Sequence, residues 1–62
     1  MAEKKIEVGQ KFIDANPPSY EWRVLEIRGE NVLLQRVDKE RVSRIPPAEV
    51  LLDPLYYKKI RV

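Results

Sequence analysis

The sequence predicts an all-β domain built from about five short strands. Short segments of alternating apolar and polar residues recur along the chain, as in strands with one buried face. Proline, aspartate and glycine, which favour turns, separate these segments. No segment carries a helical apolar period over the length of a stable helix. At 62 residues the chain has room for one such domain, whose core must be thin.

The domain begins after a charged N-terminal segment. Residues 1–5 contain one glutamate and two lysines and are expected to be disordered. We assign residues 6–62 to a single barrel domain. Its first strand covers residues 11–14, after a turn at Gly9. Residues 15–19 contain two consecutive prolines, which cannot donate hydrogen bonds to a sheet, so this stretch is predicted to be a surface loop.

The second strand covers residues 20–27 and changes its alternation part way along. Trp22 and Val24 share one face, whereas Leu25 and Ile27 fall on the other. A bulge or sharp bend just after Val24 would bring both halves of the strand to one core. We therefore expect a bent strand at this position.

A turn over residues 28–31 leads to the third strand, residues 32–37. We expect Val32 and Leu34 to face the core, with Arg36 remaining in water. The intervening Leu33 then points outward. If Leu25 or Ile27 is exposed on the same side, these side chains would form an apolar patch suited to a partner or a second copy.

The C-terminal third continues with a tight turn over residues 38–40 and a fourth strand, residues 41–45. Two prolines end this strand, and residues 46–50 are predicted to form one turn of 3₁₀ helix. Val50 and Leu51 would then cover one end of the barrel.

Asp53 is expected to cap a short turn before the last strand, residues 56–62. This order of short strands, one strongly bent and a helical turn before the last, resembles a small SH3-like barrel of the kind seen in Tudor and KOW modules. The resemblance covers residues 9–62 and is one of architecture. It implies a binding or scaffold role, the use that such modules commonly have.

Two ligand sites known from this architecture are not matched by the sequence. SH3 domains that bind proline-rich peptides carry an Ala-Leu-Tyr-Asp-Tyr-like motif in the first loop and a pair of tryptophans, whereas residues 14–20 lack the motif and Trp22 is single. Type II dihydrofolate reductases carry Val-Gln-Ile-Tyr where residues 43–46 read Ser-Arg-Ile-Pro. The resemblance therefore predicts the barrel without either of these sites.

The composition argues against catalysis and against a bound metal or cofactor. The chain has no cysteine and no histidine, so a thiol nucleophile, the commonest general base and the commonest metal ligand are all missing. Its two glycines cannot form a phosphate-binding glycine-rich loop. Asp14, Asp38 and Asp53 stand singly in separate turns, where aspartate commonly bonds backbone. We therefore predict a non-catalytic protein without a cofactor.

Aromatic and basic residues supply the candidate interaction surface. Phe12 and Trp22 are assigned to the core, whereas Tyr20 and Tyr57 are equally suited to the edge of the core or to a binding surface. Residues 41–62 carry five basic and two acidic side chains, so attraction to polyanions should centre there. The candidate surface comprises Tyr20, Leu33, Arg41, Arg44, Tyr57, Lys58, Lys59 and Arg61.

The sequence thus predicts a binding module that recognises a protein or peptide, or that binds nucleic acid weakly through charge. The alternative is a designed or idealised barrel with no evolved function, since strand, turn and charge patterns all agree with one fold. We expect a cytoplasmic protein that does not enter a membrane, because no apolar run approaches the roughly 20 residues needed to span one. It should be a monomer or a weak homodimer.

Overall fold

Five short antiparallel strands and a single helical turn make up the computed structural model, which describes residues 6–60. The strands are joined in one sheet of order β4-β3-β2-β1-β5. Because β4 and β5 are the two ends of this order, the sheet is barrel-like without being closed. The predicted all-β fold is confirmed. The elements are β1 (Lys11–Asp14), β2 (Glu21–Arg28), β3 (Asn31–Arg36), β4 (Ser43–Arg44), α1 (Ala48–Leu51) and β5 (Tyr57–Lys59).

The hairpin of β2 and β3 contains the predicted bulge. The register pairs Val24 with Leu34, then shifts by one residue so that Ile27 lies opposite Val32. The bend in the second strand is therefore confirmed, but Leu25 and Ile27 are 39% and 43% exposed and do not join the buried core. Ile27 lies next to the hairpin turn.

The turn between these strands depends on Gly29. Arg28 pairs with Asn31, so only two residues form the loop. Gly29 takes the first of the two positions with φ of 56°. A positive φ at that position matches the right-handed twist of the strands, and glycine adopts it without steric cost.

The core lies on the inner face of the curved sheet and beneath α1. Phe12 and Trp22, predicted to be core residues, are both almost completely buried. Tyr57 is 7% exposed, so its ring belongs to the core and not to an interaction surface. The other buried side chains are Val24, Val32, Leu34 and Leu51.

Arg36 contradicts the expectation that it stays in water. Residues 32, 34 and 36 of a strand share one face, so the inward orientation of Val32 and Leu34 carries Arg36 to the inner face as well. Its side chain is only 14% exposed. The register places Arg36 opposite Trp22, at the rim of the core.

The segment between β3 and β5 is less extended than predicted. The fourth strand has two residues, and the predicted 3₁₀ turn is a turn of α-helix, since Leu51 N donates to Pro47 O at 3.1 Å and Leu52 N donates to Ala48 O at 3.0 Å. Leu51 is fully buried, which confirms that this helix covers the core. The predictions for residues 1–5 and 61–62 lie outside the described residues.

The Asp53 turn forms as predicted, with Leu55 N donating to Asp53 Oδ1 at 3.0 Å. The last strand, β5, is three residues long and shorter than expected. Within residues 6–60 no helix has the length and apolar character that crossing a bilayer requires.

Leu33 lies on the outer face of the sheet, beside the exposed bulge residue Leu25, which is one of the two apolar neighbours expected there. The register pairs Leu33 with Glu26, whereas Ile27 faces inward opposite Val32. Val32 N donates to Pro46 O at 2.9 Å, which continues the pairing of β3 with β4 and sets Ile45 opposite Leu33. Leu33, which is half-buried, and Ile45 are thus placed side by side on the outer face.

We predict that Trp22→Ala lowers the free energy of unfolding by about 3–5 kcal/mol, because it empties the largest buried site of a thin core. When thermal unfolding is followed by circular dichroism, the variant should show no cooperative transition above room temperature. A variant that melts within a few degrees of the parent would contradict the core role of Trp22.

The orientation of β3 can be tested with two adjacent leucines. Leu33→Lys should change the free energy of unfolding by less than about 1 kcal/mol, since a lysine on the outer face keeps its charge in water. Leu34→Lys should unfold the protein, because the same charge would enter the core. Equal effects in denaturant titrations would show that the faces of β3 are assigned incorrectly.

Candidate functional site

Arg44 occupies the rim of the core, where the two ends of the sheet approach each other. Its register position opposite Leu34 turns the side chain to the inner face. The guanidinium carbon lies 4.1 Å from the centroid of the Trp22 ring. Nη1 donates to the Tyr57 hydroxyl at 2.9 Å and to Asp14 Oδ1 at 3.1 Å. A single side chain therefore joins β4 to β1, β2 and β5.

The Asp14 carboxylate is shared between Arg44 and the loop that follows β1. Asp14 Oδ2 accepts a hydrogen bond from Tyr20 N at 3.3 Å, and Asp14 N donates to Tyr20 O at 3.1 Å. These two bonds close the loop of residues 15–19 at its base. The same loop contains the cis peptide bond between Pro17 and Pro18.

Arg44 retains its charge in this setting. Partial burial acts to lower the pKa of Arg44. The hydrogen bond to Tyr57 and the charge of Asp14 together outweigh this effect, so the pKa of Arg44 is raised above its ordinary value. Nη1 makes both hydrogen bonds. Among residues 6–60, no hydrogen bond engages Nε or Nη2 of Arg44, so these donors are available to a ligand.

An open groove of about 270 Å³ lies above the Asp14–Arg44 pair. Its lining includes the proline loop and Tyr56, which we call its two walls, and also Tyr20. Tyr56 is 54% exposed. We call this site the Tyr20–Tyr56 groove; it is lined by Asp14, Asn16, Pro17, Pro18, Tyr20, Arg44 and Tyr56.

Hydrogen bonds tie the two walls of the groove to each other. Ala15 N donates to Tyr56 O at 2.9 Å, and Asn16 Nδ2 donates to Leu55 O at 3.4 Å. The proline loop and the turn before β5 are thus held at a set separation. The groove is formed before any ligand arrives.

A second arginine supports Tyr20 from the other side. The guanidinium carbon of Arg36 lies 3.6 Å from the centroid of the Tyr20 ring. Arg36 donates to both carboxylate oxygens of Asp38, at 2.6 and 3.1 Å. These hydrogen bonds hold the pKa of the Asp38 carboxyl below its ordinary value. Tyr20 is therefore fixed in the lining of the groove by a cation–π contact.

The structure gathers only part of the predicted interaction surface. Tyr20 and Arg44 both line the groove, whereas Tyr57 does not line it, since its ring is buried and its hydroxyl accepts from Arg44. The remaining described members lie elsewhere: Leu33 on the outer face, Arg41 in the turn before β4, and Lys58 and Lys59 on β5. Arg61 lies outside the described residues.

The predicted interaction surface left out five residues that line the groove, namely Asp14, Asn16, Pro17, Pro18 and Tyr56. Sequence reasoning assigned Asp14 to turn chemistry, which the bond to Tyr20 N supports, but did not connect it with Arg44. The adjacent Tyr56 and Tyr57 signal that one of the two rings must face outward in a strand, since neighbouring side chains alternate. The pattern does not say which.

Positive charge also collects on the outer face of β1, β2 and β5. Lys11 lies directly opposite Arg23, and Lys58 lies opposite Ile13. Like charges at directly opposed positions repel each other. The ion pairs of the described residues include none of these three cations. This second cationic area involves residues outside the C-terminal third that the sequence favoured.

No cluster of three or more histidine, cysteine, aspartate or glutamate residues suited to a metal ion occurs within residues 6–60. Asp14 accepts from Arg44 on one carboxylate oxygen and from a backbone amide on the other. Comparisons with protein-family models, curated proteins and solved structures gave no match.

The bond between Arg44 and Tyr57 can be measured with a double-mutant cycle. Arg44→Ala and Tyr57→Phe should show a coupling free energy of about 0.5–1.5 kcal/mol in denaturant unfolding, because each removes the same hydrogen bond. Arg44→Lys should not restore it, since an ammonium cannot stack flat on Trp22 while donating sideways.

Arg41→Ala is the matched control for this cycle. Arg41 lies in the exposed turn before β4, so its replacement should change stability by no more than about 0.5 kcal/mol. Additive effects of Arg44→Ala and Tyr57→Phe would contradict the bridging role of Arg44.

Proposed function

We propose that this protein is a non-catalytic binding module that takes an extended, proline-containing peptide in the Tyr20–Tyr56 groove. The observation that carries the proposal is the groove itself, with aromatic and proline rings as walls and an arginine with unused donors at its base. The motifs by which SH3 domains read proline-rich peptides are absent. The groove is assembled from other residues and would bind by its own chemistry.

The walls suit flat, rigid apolar groups. Tyr56 exposes about half of its surface, and Pro17 and Pro18 are exposed on the facing loop. Proline rings pack well on tyrosine, and a polyproline II segment loses little conformational entropy on binding because it is extended beforehand. A peptide of this kind fills the groove at a low entropic cost.

The base of the groove suits the backbone of such a peptide. A polyproline II segment makes no internal hydrogen bonds, so its carbonyl groups need external donors. Arg44 offers Nε and Nη2, which have no hydrogen-bond partner among the described residues. A peptide carbonyl placed on Arg44 fixes the position of the ligand, while the tyrosines contribute apolar contact.

The rigidity of the groove favours binding. The hydrogen bonds from Ala15 and Asn16 hold the loop against the turn that carries Tyr56, and Arg36 holds Tyr20. Ordering of mobile groups is a main cost of association, and a formed groove reduces it. The non-catalytic part of the proposal is supported by the engaged carboxylate of Asp14 and by the chain's lack of histidine and cysteine.

We predict that Tyr56→Ala weakens peptide binding by about tenfold or more, because an exposed tyrosine at the wall of a small groove carries a large share of the contact. The measurement is titration of the protein with synthetic proline-containing peptides of about eight to ten residues, followed by heteronuclear NMR. Fluorescence of Trp22, the single tryptophan, should report the same event, since Arg44 lies on its ring.

Leu55→Ala provides the matched control. Leu55 precedes Tyr56 and is 72% exposed, but it does not line the groove. This variant should bind as the parent does, and both variants should keep the parental melting temperature. Equal binding by Tyr56→Ala and the parent would show that the peptide does not bind in the groove.

Weak electrostatic nucleic-acid binding is a second candidate, supported by Lys11, Arg23 and Lys58 on the outer face, which form no ion pair with another residue of the range 6–60. Phosphate groups would relieve the repulsion between the opposed Lys11 and Arg23. Affinity for DNA or RNA should then fall steeply between low and physiological salt. Binding that persists at high salt would exclude a purely electrostatic mode.

The remaining alternative is a designed or idealised barrel with no evolved ligand, acting as a monomer or weak homodimer. Its support is the agreement of strand, turn and capping patterns with one fold, as at Gly29 and Asp53. Under this alternative neither peptides nor nucleic acids bind above background. Sedimentation over a range of concentrations measures the state of association.

A further inference from the structure

Within residues 6–60, the edge of the sheet at β5 has no neighbouring strand. Ala15 N donates to Tyr56 O at 2.9 Å, and Ile60 N donates to Lys11 O at 3.0 Å, on either side of the Ile13–Lys58 pair. In an antiparallel ladder every second residue of a strand hydrogen-bonds to the neighbouring strand. In β5 the residue whose backbone groups face β1 is therefore Lys58. The backbone N–H and C=O of Lys59 therefore point away from β1, along the free edge.

An apolar depression of about 490 Å³ lies beside this edge. It is lined by residues of β1, α1 and β5 and of the turn between the last two, namely Phe12, Leu51, Leu52, Pro54, Tyr57, Lys58 and Lys59. Lys59 lies opposite Phe12 in the register, so its stem borders the depression from the inner face. A strand added beside β5 would place every second side chain in this space.

Positive charge borders both sides of the same edge. Lys58 faces outward and Lys59 inward, and neither enters the ion pairs formed within the described part of the chain. Edge lysines disfavour pairing with an identical edge, because lysine would meet lysine. A strand that carries carboxylates would instead be attracted by the positive charges of Lys58 and Lys59. The edge therefore favours an acidic partner over a second copy.

We propose that the β5 edge binds an extended acidic segment of a partner protein by strand addition, with apolar side chains in the depression and carboxylates facing Lys58. The backbone of Lys59 supplies the main-chain hydrogen bonds, and the alternation of apolar and acidic residues supplies selectivity. This site is separate from the Tyr20–Tyr56 groove and does not depend on the function proposed for it.

The probe is a synthetic peptide of about eight residues in which glutamate alternates with valine, matched by a peptide with lysine in place of glutamate. The acidic peptide should bind and the basic peptide should not. In the complex the Lys59 amide proton should exchange with solvent more slowly than in the free protein, as followed by NMR. N-methylation of alternate peptide amides should lower affinity by about tenfold.

Charge reversal tests the selectivity. Lys58→Glu should lose the acidic peptide and gain the basic one. Lys39→Glu, the same charge change in the turn after β3, should leave the affinity for the acidic peptide unchanged, as should Tyr56→Ala in the separate groove. Equal binding of both peptides, no binding, or binding without protection of the Lys59 amide would overturn the proposal. Protection of that amide in the free protein would also overturn it, because the edge would then already be covered.

Discussion

The contact of Arg44 with Trp22, Tyr57 and Asp14 is the interaction on which the arrangement of this small barrel depends. Among the described residues, the end strands β4 and β5 are not paired with each other, so no ladder of backbone hydrogen bonds closes the sheet. A flat guanidinium can cover an aromatic ring and donate in its own plane at the same time. Arg44 does both, since it stacks on Trp22 and donates to Tyr57 and Asp14.

The same contact determines the position of the groove. Asp14 receives Arg44 on one oxygen and the amide of Tyr20 on the other, so the rim of the core and the base of the proline loop share one carboxylate. One polar group in the core below the groove lacks a hydrogen bond, because Trp22 Nε1 is buried with no acceptor among residues 6–60. A buried donor without a partner costs about 1–3 kcal/mol. The large apolar surface of the indole ring offsets that cost.

Much of the fold could be predicted because its signals are local. The alternation in the second strand predicts the bulge after Val24, and the core positions of Phe12 and Trp22 follow from their size in a thin core. Arg36 is the residue for which the prediction ignored the alternation of side chains along a strand. Arg36 lies two residues after Leu34, so its side chain has to face inward with those of Val32 and Leu34. The guanidinium stacks on the ring of Tyr20 and donates to Asp38, and these contacts stabilise its charge at the rim of the core.

The sequence alone determined the strands, the turns, the bend and most of the core, since each depends on residues near one another in the chain. The tertiary structure alone decided which of Tyr56 and Tyr57 faces the groove, and which donors of Arg44 remain unused. Arg44 lies 30 residues from Asp14 and 13 from Tyr57. Such partners meet only when the sheet curls its two ends together, and no local pattern encodes that distance.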